Sequence, residues 1–365
     1  MKHKNVLVLA PDVYLKGGIQ RYVRAQILAL DSDPKFEPYV VSLTPRGEGS
    51  FESCIKVNLT RKHNTKLENI SLALRLLVFC IINRPNIIVC AHINITPLAY
   101  ILKLISGAKL VTNVYGYELW TNVTKLKKFS ISQSNCIIGD CNHILEFFKT
   151  AFSKTVQTAL LFDPVDTEVF LPASEQEKKS IRERYDIPNK NIVMTVGRLE
   201  RNKGHHLILK ALQQSETWSY VIVGDGSLRN ELEETTKDLG LTDRVLFLGR
   251  VPEADLPGLY SVADIVALIS HVAPGEGEGL PLGLIEAMSC GTFIVCGSKD
   301  GSVDAIETGG LEGLHADSVS EFAEILNGHD PIEKELASIE IREKAVNRFD
   351  IQQFVQNFKL ILAKL

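Results

Sequence analysis

Asn191-Ile-Val-Met-Thr-Val196-Gly197-Arg198-Leu-Glu-Arg-Asn-Lys203-Gly204-His205 reads as a buried strand, a loop bounded by glycines and the start of a helix. The strand is mostly apolar, with no regular polar alternation, as a strand of a parallel sheet covered on both faces requires. The same unit recurs downstream. Apolar runs at 219–223, 245–248, 265–268 and 292–296 alternate with helical patterns at 205–213, 227–238, 253–261 and 283–289. Alternation of this kind is the signature of βαβ units.

Upstream, runs at 6–10, 39–43, 87–91, 109–114 and 135–139 alternate with helical patterns at 19–30, 70–83, 97–105 and 141–150. The pattern pauses at Leu161-Phe-Asp-Pro-Val165-Asp166 and resumes after a charged helical stretch at 174–185. A chain of 365 residues is long for one core and comfortable for two. The expectation is an α/β protein of two doubly wound Rossmann-like domains, 1–165 and 166–350, facing across a cleft. An amphipathic helix at 351–365 is expected to pack back on the first domain. Ligands of such folds bind outside the carboxyl ends of the strands.

Composition points to a globular chain, 45% hydrophobic and 23% charged. Its seven cysteines form no Cys-x-x-Cys pair, and several lie in apolar runs, as Cys90 does. That suits reduced thiols and a cytoplasmic setting. The apolar run after Met1-Lys-His-Lys4 meets Pro11-Asp12 within about six residues, too short for a signal peptide's core and right for a first strand. The longest apolar stretch, 70–82, contains Arg75 and falls short of the ~20 residues of a spanning helix. Charge is unevenly divided: residues 1–165 hold 20 Lys and Arg against 11 Asp and Glu, and the remainder holds 20 against 33. A basic half facing an anionic membrane leaflet or a phosphate-bearing acceptor is one reading, and chance imbalance on solvated surfaces is the other.

Three loops carry residues suited to chemistry. In Glu276-Gly-Glu278-Gly279-Leu280-Pro281-Leu282-Gly283-Leu-Ile-Glu286, glycines at 275, 277 and 279 let backbone approach a ligand. Amides near Leu282 and Gly283, at a helix start, suit an anion. Glu278 and Glu286 can both face one cleft and accept hydrogen bonds from hydroxyls; otherwise they are a loop acid and a helix-face acid. Arg198 and Lys203 combine a donor fork with a compact ammonium, a set suited to pyrophosphate; taken alone they could be solvated loop cations. Lys16-Gly17-Gly18 opens the first helix and could present amides to phosphate or sugar. No Gly-x-Gly-x-x-Gly is present, since Gly224-Asp225-Gly226 lacks the third glycine, and no nucleic-acid-binding signature stands out.

These stretches together resemble glycosyltransferase family four of the GT-B superfamily. The matches are Gly17-Gly-Ile-Gln-Arg-Tyr22, Val196-Gly-Arg-Leu-Glu-Arg-Asn-Lys-Gly204, Val223-Gly-Asp-Gly-Ser-Leu-Arg229, and the Glu-x₇-Glu stretch ending Glu286-Ala-Met-Ser-Cys-Gly291. The resemblance implies a retaining, metal-independent transfer of a sugar from a UDP- or GDP-sugar to a glycan or lipid-linked glycan, in cell-surface polysaccharide synthesis such as that of lipopolysaccharide. Arg198 and Lys203 would neutralise the leaving pyrophosphate. Glu278 would hold sugar hydroxyls, Glu286 the ribose, and backbone at Arg250-Val251 the base. Gly17, Gly18, Gly279, Leu280 and Leu282 would complete donor binding, with no cofactor and no metal.

Two positions depart from the family. Tyr115 stands where relatives commonly have a histidine that contacts the donor sugar; a phenol hydrogen-bonds but does not accept protons near neutrality. Pro281 stands where many have glycine, which removes one backbone donor. His92, Glu118 and Trp120 are acceptor-side candidates, and His271 is a further cleft candidate. A peripheral position on the inner membrane face follows as an expectation from the basic first half, with Arg61-Lys-His63 and Lys125-Leu-Lys-Lys128 as candidate contacts. The alternatives are a nucleotide-sugar 2-epimerase of the same fold and a degenerate nucleotide-sugar-binding subunit.

Overall fold

The computed structural model describes residues 3–15, 17–44, 57–60, 65–121, 123–270, 277–306, 313–328 and 334–365. Lys16, Cys54, the 61–63 basic stretch, His271, Gly275 and Glu276 lie outside the described residues. The chain forms two compact units, Met1–Pro164 with Ile351–Leu365, and Val165–Asp350.

Unit 1 is built on seven parallel strands: β1 (Lys4–Ala10), β2 (Phe36–Ser42), β3 (Val57–Thr60), β4 (Ile87–Cys90), β5 (Lys109–Val114), β6 (Cys136–Gly139) and β7 (Gln157–Leu160). Their order is β3-β2-β1-β4-β5-β6-β7. Between them run α1 (Gly18–Asp31), α2 (Lys66–Asn83), α3 (Thr96–Ser106), α4 (Tyr117–Trp120), α5 (Lys125–Ser132) and α6 (Asn142–Ala151). Successive strand residues point to opposite faces, and here both faces are covered. Val6, Val8 and Ala10 of β1 meet α1 and Phe354 and Phe358 from the C-terminal segment. Leu7 and Leu9 meet Leu72 and Leu76 of α2 and Leu102 of α3. That double burial is why the central strands are mostly apolar without alternation.

Unit 2 has six parallel strands: β8 (Asn191–Val196), β9 (Trp218–Val223), β10 (Val245–Gly249), β11 (Ile265–Leu268), β12 (Phe293–Cys296) and β13 (Gly313–His315). Their order is β10-β9-β8-β11-β12-β13. Its helices are α7 (Glu175–Arg184), α8 (His205–Leu212), α9 (Arg229–Asp238), α10 (Leu256–Val262), α11 (Leu282–Ser289), α12 (Val319–Gly328) and α13 (Lys334–Phe349). Ser174 and Glu177 cap α7 reciprocally. The pattern at 253–261 resolves into a 3-10 turn followed by α10, with proline in the first turn of the helix, where its missing N–H costs nothing. The chain then returns to unit 1 as α14 (Ile351–Ala363), which packs on α1. Both sheets are doubly wound, in agreement with the α/β expectation.

Candidate functional site

In unit 2 the chain leaves β8 in both directions along the sheet, to β9 on one side and β11 on the other. The carboxyl edge of β8 and β11 is therefore the topological switch point, where a crevice for ligand forms. Two glycines bring the surrounding loops together. Gly204, at φ 69°, lies against the carbonyl of Ile269 just past β11, so neither its conformation nor its space admits a side chain. Gly224, at φ 128°, lies in the same way against the carbonyl of Gly197. The 197–204 loop is further pinned by Leu199 N–H to Asp225 O (3.1 Å) and Leu228 N–H to Leu199 O (3.1 Å).

Lys203, at the end of a 3-10 turn, reaches Glu278 across this edge, with Nζ 2.8 Å from Oε1. Asn202 Nδ2 donates to the same oxygen at 2.5 Å. The backbone of Glu278 is held too: its N–H donates to Asp300 Oδ2 (2.9 Å), and its carbonyl accepts from Gly301 N–H (3.0 Å). Asp300 is 1% exposed, and its other oxygen accepts from Ser302 N–H. Both Lys203 and Glu278 keep some solvent contact, with side chains 14% and 15% exposed. The pair is thus preformed and still reachable.

Glu286 is buried on α11, and its Oε2 accepts from the Tyr260 hydroxyl at 2.9 Å. The start of the same helix abuts β8, since a side chain at Gly283 would touch both Tyr260 Oη and the carbonyl of Val196. Gly279 and Leu282 are half-buried and Leu280 is buried on the approach to α11. Val251 follows β10, whose Gly249 carbonyl accepts from Gly224 N–H at 2.7 Å. Arg198 is exposed and makes no side-chain bond to a described residue. The structure thus joins Lys203 to Glu278, sets Glu286 beside the first turn of α11, and leaves Arg198 extended from the loop. Sequence reasoning missed Asn202, Tyr260 and Asp300. Asn202 was adjacent to a named cation, whereas Asp300 and Tyr260 are 22 and 26 residues from the glutamates they hold.

Behind Lys203, His205 is buried, with Nδ1 2.7 Å from Tyr220 Oη. Tyr220 donates to Thr195 Oγ1 (2.8 Å), which donates to the Ala267 carbonyl (2.7 Å). With both hydroxyl protons committed, Nδ1 must carry the hydrogen it gives to Tyr220. Nε2 is then a bare, buried lone pair without a partner among the described residues. Desolvation, with Lys203 and His206 adding repulsion, pushes the imidazole down to about 4.

In unit 1, titratable groups line the carboxyl ends of β4 to β7. His92 caps the turn after β4, its Nδ1 accepting from Asn94 N–H at 3.1 Å; burial lowers its pKa, with Glu118 opposing the shift. Tyr115 is half-buried, edge-on to Tyr22 at 5.4 Å, and its hydroxyl accepts from Asn113 at 3.1 Å. Desolvation holds that phenol well above its usual range. Glu118 accepts from Tyr115 N–H at 2.7 Å, so this acid is engaged locally. Trp120 packs edge-on against His143 and Phe147 of α6. Gly17 caps α1 and, with Gly18, is exposed. Beyond these, Asp140 and Asp163 end β6 and β7 and are buried; burial pushes Asp163 up to about 7, with Arg21 pulling the other way.

Among the described residues no three His, Cys, Asp or Glu side chains come together as a metal-binding set. An open depression of 1260 Å³ in unit 2, lined by Lys178, Arg182, Asp186 and Thr292, lies at the amino ends of the strands, away from the groups above.

Residues 177–329 match the family model described as glycosyl transferases group 1. The chain is similar to a GDP-mannose-dependent alpha-(1-6)-phosphatidylinositol monomannoside mannosyltransferase of Mycolicibacterium smegmatis, at 26% identity over 220 residues, 56% of each chain. It also resembles a GalNAc-alpha-(1->4)-GalNAc-alpha-(1->3)-diNAcBac-PP-undecaprenol alpha-1,4-N-acetyl-D-galactosaminyltransferase of Campylobacter jejuni, at 41% identity over 111 residues, 29% of this chain and 28% of that one. The chain thus spans about half, or less, of the length of these curated relatives. Among solved structures, Anabaena Alr3699/HepE in complex with UDP matches with a TM-score of 0.81 at 20% identity, over 99% of this chain and 100% of that one. At that identity the likeness is one of fold.

Proposed function

We propose that this chain, whose residues 177–329 match the model of the group 1 glycosyl transferases, moves a sugar from a nucleoside diphosphate sugar to a hydroxyl of a glycan or lipid-linked glycan. The observation that carries the reading is the preformed Lys203–Glu278 pair at the switch point of unit 2. UDP in the similar Anabaena structure and GDP-mannose in the mycolicibacterial relative support a UDP- or GDP-sugar as donor. Named relatives acting on phosphatidylinositol and undecaprenol-linked glycans support a lipid-linked acceptor and a place in cell-surface polysaccharide synthesis. None of the relatives reported above is named an epimerase or a binding subunit.

The chemistry follows from the groups in place. Departure of a nucleoside diphosphate develops negative charge on the β-phosphate, and fixed cations stabilise that charge as it forms. Lys203, oriented by Glu278, supplies one such cation, and Arg198, extended from the same loop, supplies a second. Glu278 accepts hydrogen bonds from sugar hydroxyls, and Asn202 and Asp300 keep it in place for that. Glu286, oriented by Tyr260, takes the ribose hydroxyls. As a catalytic candidate, the Tyr115 hydroxyl can donate a hydrogen bond but is not a base, since burial keeps it protonated. The transfer is read as retaining and metal-independent, the leaving phosphate taking the acceptor's proton.

The test is thermal unfolding against UDP, GDP, ADP, CMP and their sugars. A bound nucleotide at about 100 times its dissociation constant adds about 2.7 kcal/mol. No shift with any of them removes the reading.

A further inference from the structure

The outer face of α2 is apolar where it should be polar. Leu72, Leu76 and Cys80 point into the core of unit 1. On the other side, Leu67, Ile70, Leu74, Val78, Ile81 and Ile82 are all more than half exposed, at helical spacing along the whole helix. A helix apolar all round belongs in a core or against lipid, and α2 lies on the surface. Its neighbours continue the patch. α3 packs between α2 and α5 and exposes Ile101, Leu104 and Ile105. α5 exposes Leu126 and Phe129, the latter edge-on to Tyr100 of α3. Monomeric proteins rarely leave an apolar surface this continuous without a partner.

The charge around the patch identifies the partner. Arg84 at the end of α2, Lys109 at the start of β5, and Lys125 and Lys128 on α5 are exposed. From residue 65 to 133 the only acids are Glu68 and Glu118. Glu68 lies 3.8 Å from Arg75, and Glu118 caps Tyr115 N–H. Apolar side chains ringed by cations fit the surface of a bilayer, where chains reach the acyl region and lysines stay among anionic headgroups. A second copy fits less well, since a twofold interface would set these lysines against their own counterparts. Among the described residues no helix is long and apolar enough to cross a membrane. α2, with eighteen residues and about 27 Å of length, is suited to lying in the interface plane.

We infer that the outer face of α2, α3 and α5 inserts into the surface of an anionic phospholipid bilayer, held by apolar burial and oriented by the lysines. This goes beyond a charge-driven contact of the basic half, and it does not depend on the transfer reading. The two meet at one point: Lys127 Nζ bonds Asn94 Oδ1 at 2.7 Å, which ties α5 to the turn that His92 caps. The apolar face therefore adjoins the carboxyl edge of unit 1.

The test is co-sedimentation of the full chain with phosphatidylcholine vesicles, with and without phosphatidylglycerol, at low salt and at about 1 M salt, where screening shortens to about 3 Å. Binding to the anionic vesicles is expected, with a substantial fraction surviving high salt. The variant L74S/V78S/I81S is expected to lower partitioning at least ~10-fold, since three apolar anchors are removed. Its nucleotide-induced thermal shift should be unchanged, which separates this inference from the donor reading. K125Q/K128Q is expected to keep neutral-vesicle binding and lose the preference for anionic lipid. Two outcomes overturn the inference. One is binding abolished by high salt with the serine variant binding like the parent, which leaves charge alone. The other is no vesicle binding while the serine variant turns a dimer into a monomer, which assigns the face to a second copy.

Discussion

Lys203 Nζ and Glu278 Oε1 are 2.8 Å apart across the carboxyl edge of β8 and β11, each side chain about one-seventh exposed. A cation proposed here for a phosphate is held by a carboxylate proposed for a sugar. The ion pair fixes a long, flexible ammonium before any ligand arrives, which lowers the ordering entropy left for binding.

The two partners should therefore respond differently to substitution. Glu278→Gln frees Lys203 and removes a negative charge, so a sugar-free nucleoside diphosphate should bind at least as tightly as to the parent. Transfer should nevertheless fall by about 100-fold or more, the scale for losing a preorganised charged contact. Lys203→Ala instead leaves Glu278 with Asn202 as its one side-chain donor among the described residues, and should cost about 1–3 kcal/mol of stability along with nucleotide affinity. Calorimetric titration with UDP and GDP checks both. Weaker nucleotide binding by the glutamine variant would contradict the pairing logic.

Tyr260 and Glu286 make a second separable pair. Tyr260→Phe removes the donor to a buried carboxylate, a loss of about 1–2 kcal/mol. With Glu286 less firmly oriented, KM for the donor should rise several-fold with kcat little changed, because the ribose lies away from the reacting centre. A drop in kcat at constant KM would assign Glu286 to the reaction itself.

The sequence made the strands readable because both faces of each central strand are covered, so the runs at β1, β4 and β11 are apolar without a break. It did not show β3, β7 or β13, which are edge strands of three or four residues with little apolar content. Arg198, Lys203, Glu278 and Glu286 were readable because glycines and helix starts surround them. Asn202, Tyr260 and Asp300 were not, because their part depends on which strand ends become neighbours, and that is a property of the sheet order. α2 misled in another way. Its stretch at 70–83 reads as a helix, and only the packing of α2 on the sheet shows how much of its apolar surface faces outward.

Tyr115 permits a test of the departure from the family pattern. Its phenol is held protonated by burial and its oxygen is occupied by Asn113. Tyr115→Phe should lower kcat by roughly tenfold, the loss of one hydrogen bond of about 1.4 kcal/mol. The pH–rate profile should keep its shape, since no group titrating near neutrality has been removed. A lost acidic or basic limb in the phenylalanine variant would make Tyr115 a proton carrier.

His205 and Asp163 should give opposite pH signatures in the two units. His205 has its pKa depressed from 6.5 to about 4 in the folded chain, chiefly by desolvation. Below pH 6.5 the unfolded chain takes up a proton that the native imidazole refuses, since its bare Nε2 is buried and Lys203 stands beside it. The contribution to stability is fully present above pH 6.5 and is lost as pH falls toward 4, by about 3 kcal/mol at most. His205→Gln, which can still bond Tyr220, should flatten the stability curve between pH 6.5 and 4 relative to the parent. Asp163 runs the other way. Its native pKa is raised from 3.8 to about 7, so its contribution is present below pH 3.8 and is lost as pH rises through 7. Asp163→Asn keeps the size and removes the ionisation, and should raise the unfolding temperature of unit 1 at pH 8 while changing little at pH 4. Calorimetry of the full chain at these pH values reads both effects. Equal shifts at pH 4 and pH 8 for the asparagine variant would mean that burial does not hold Asp163 protonated.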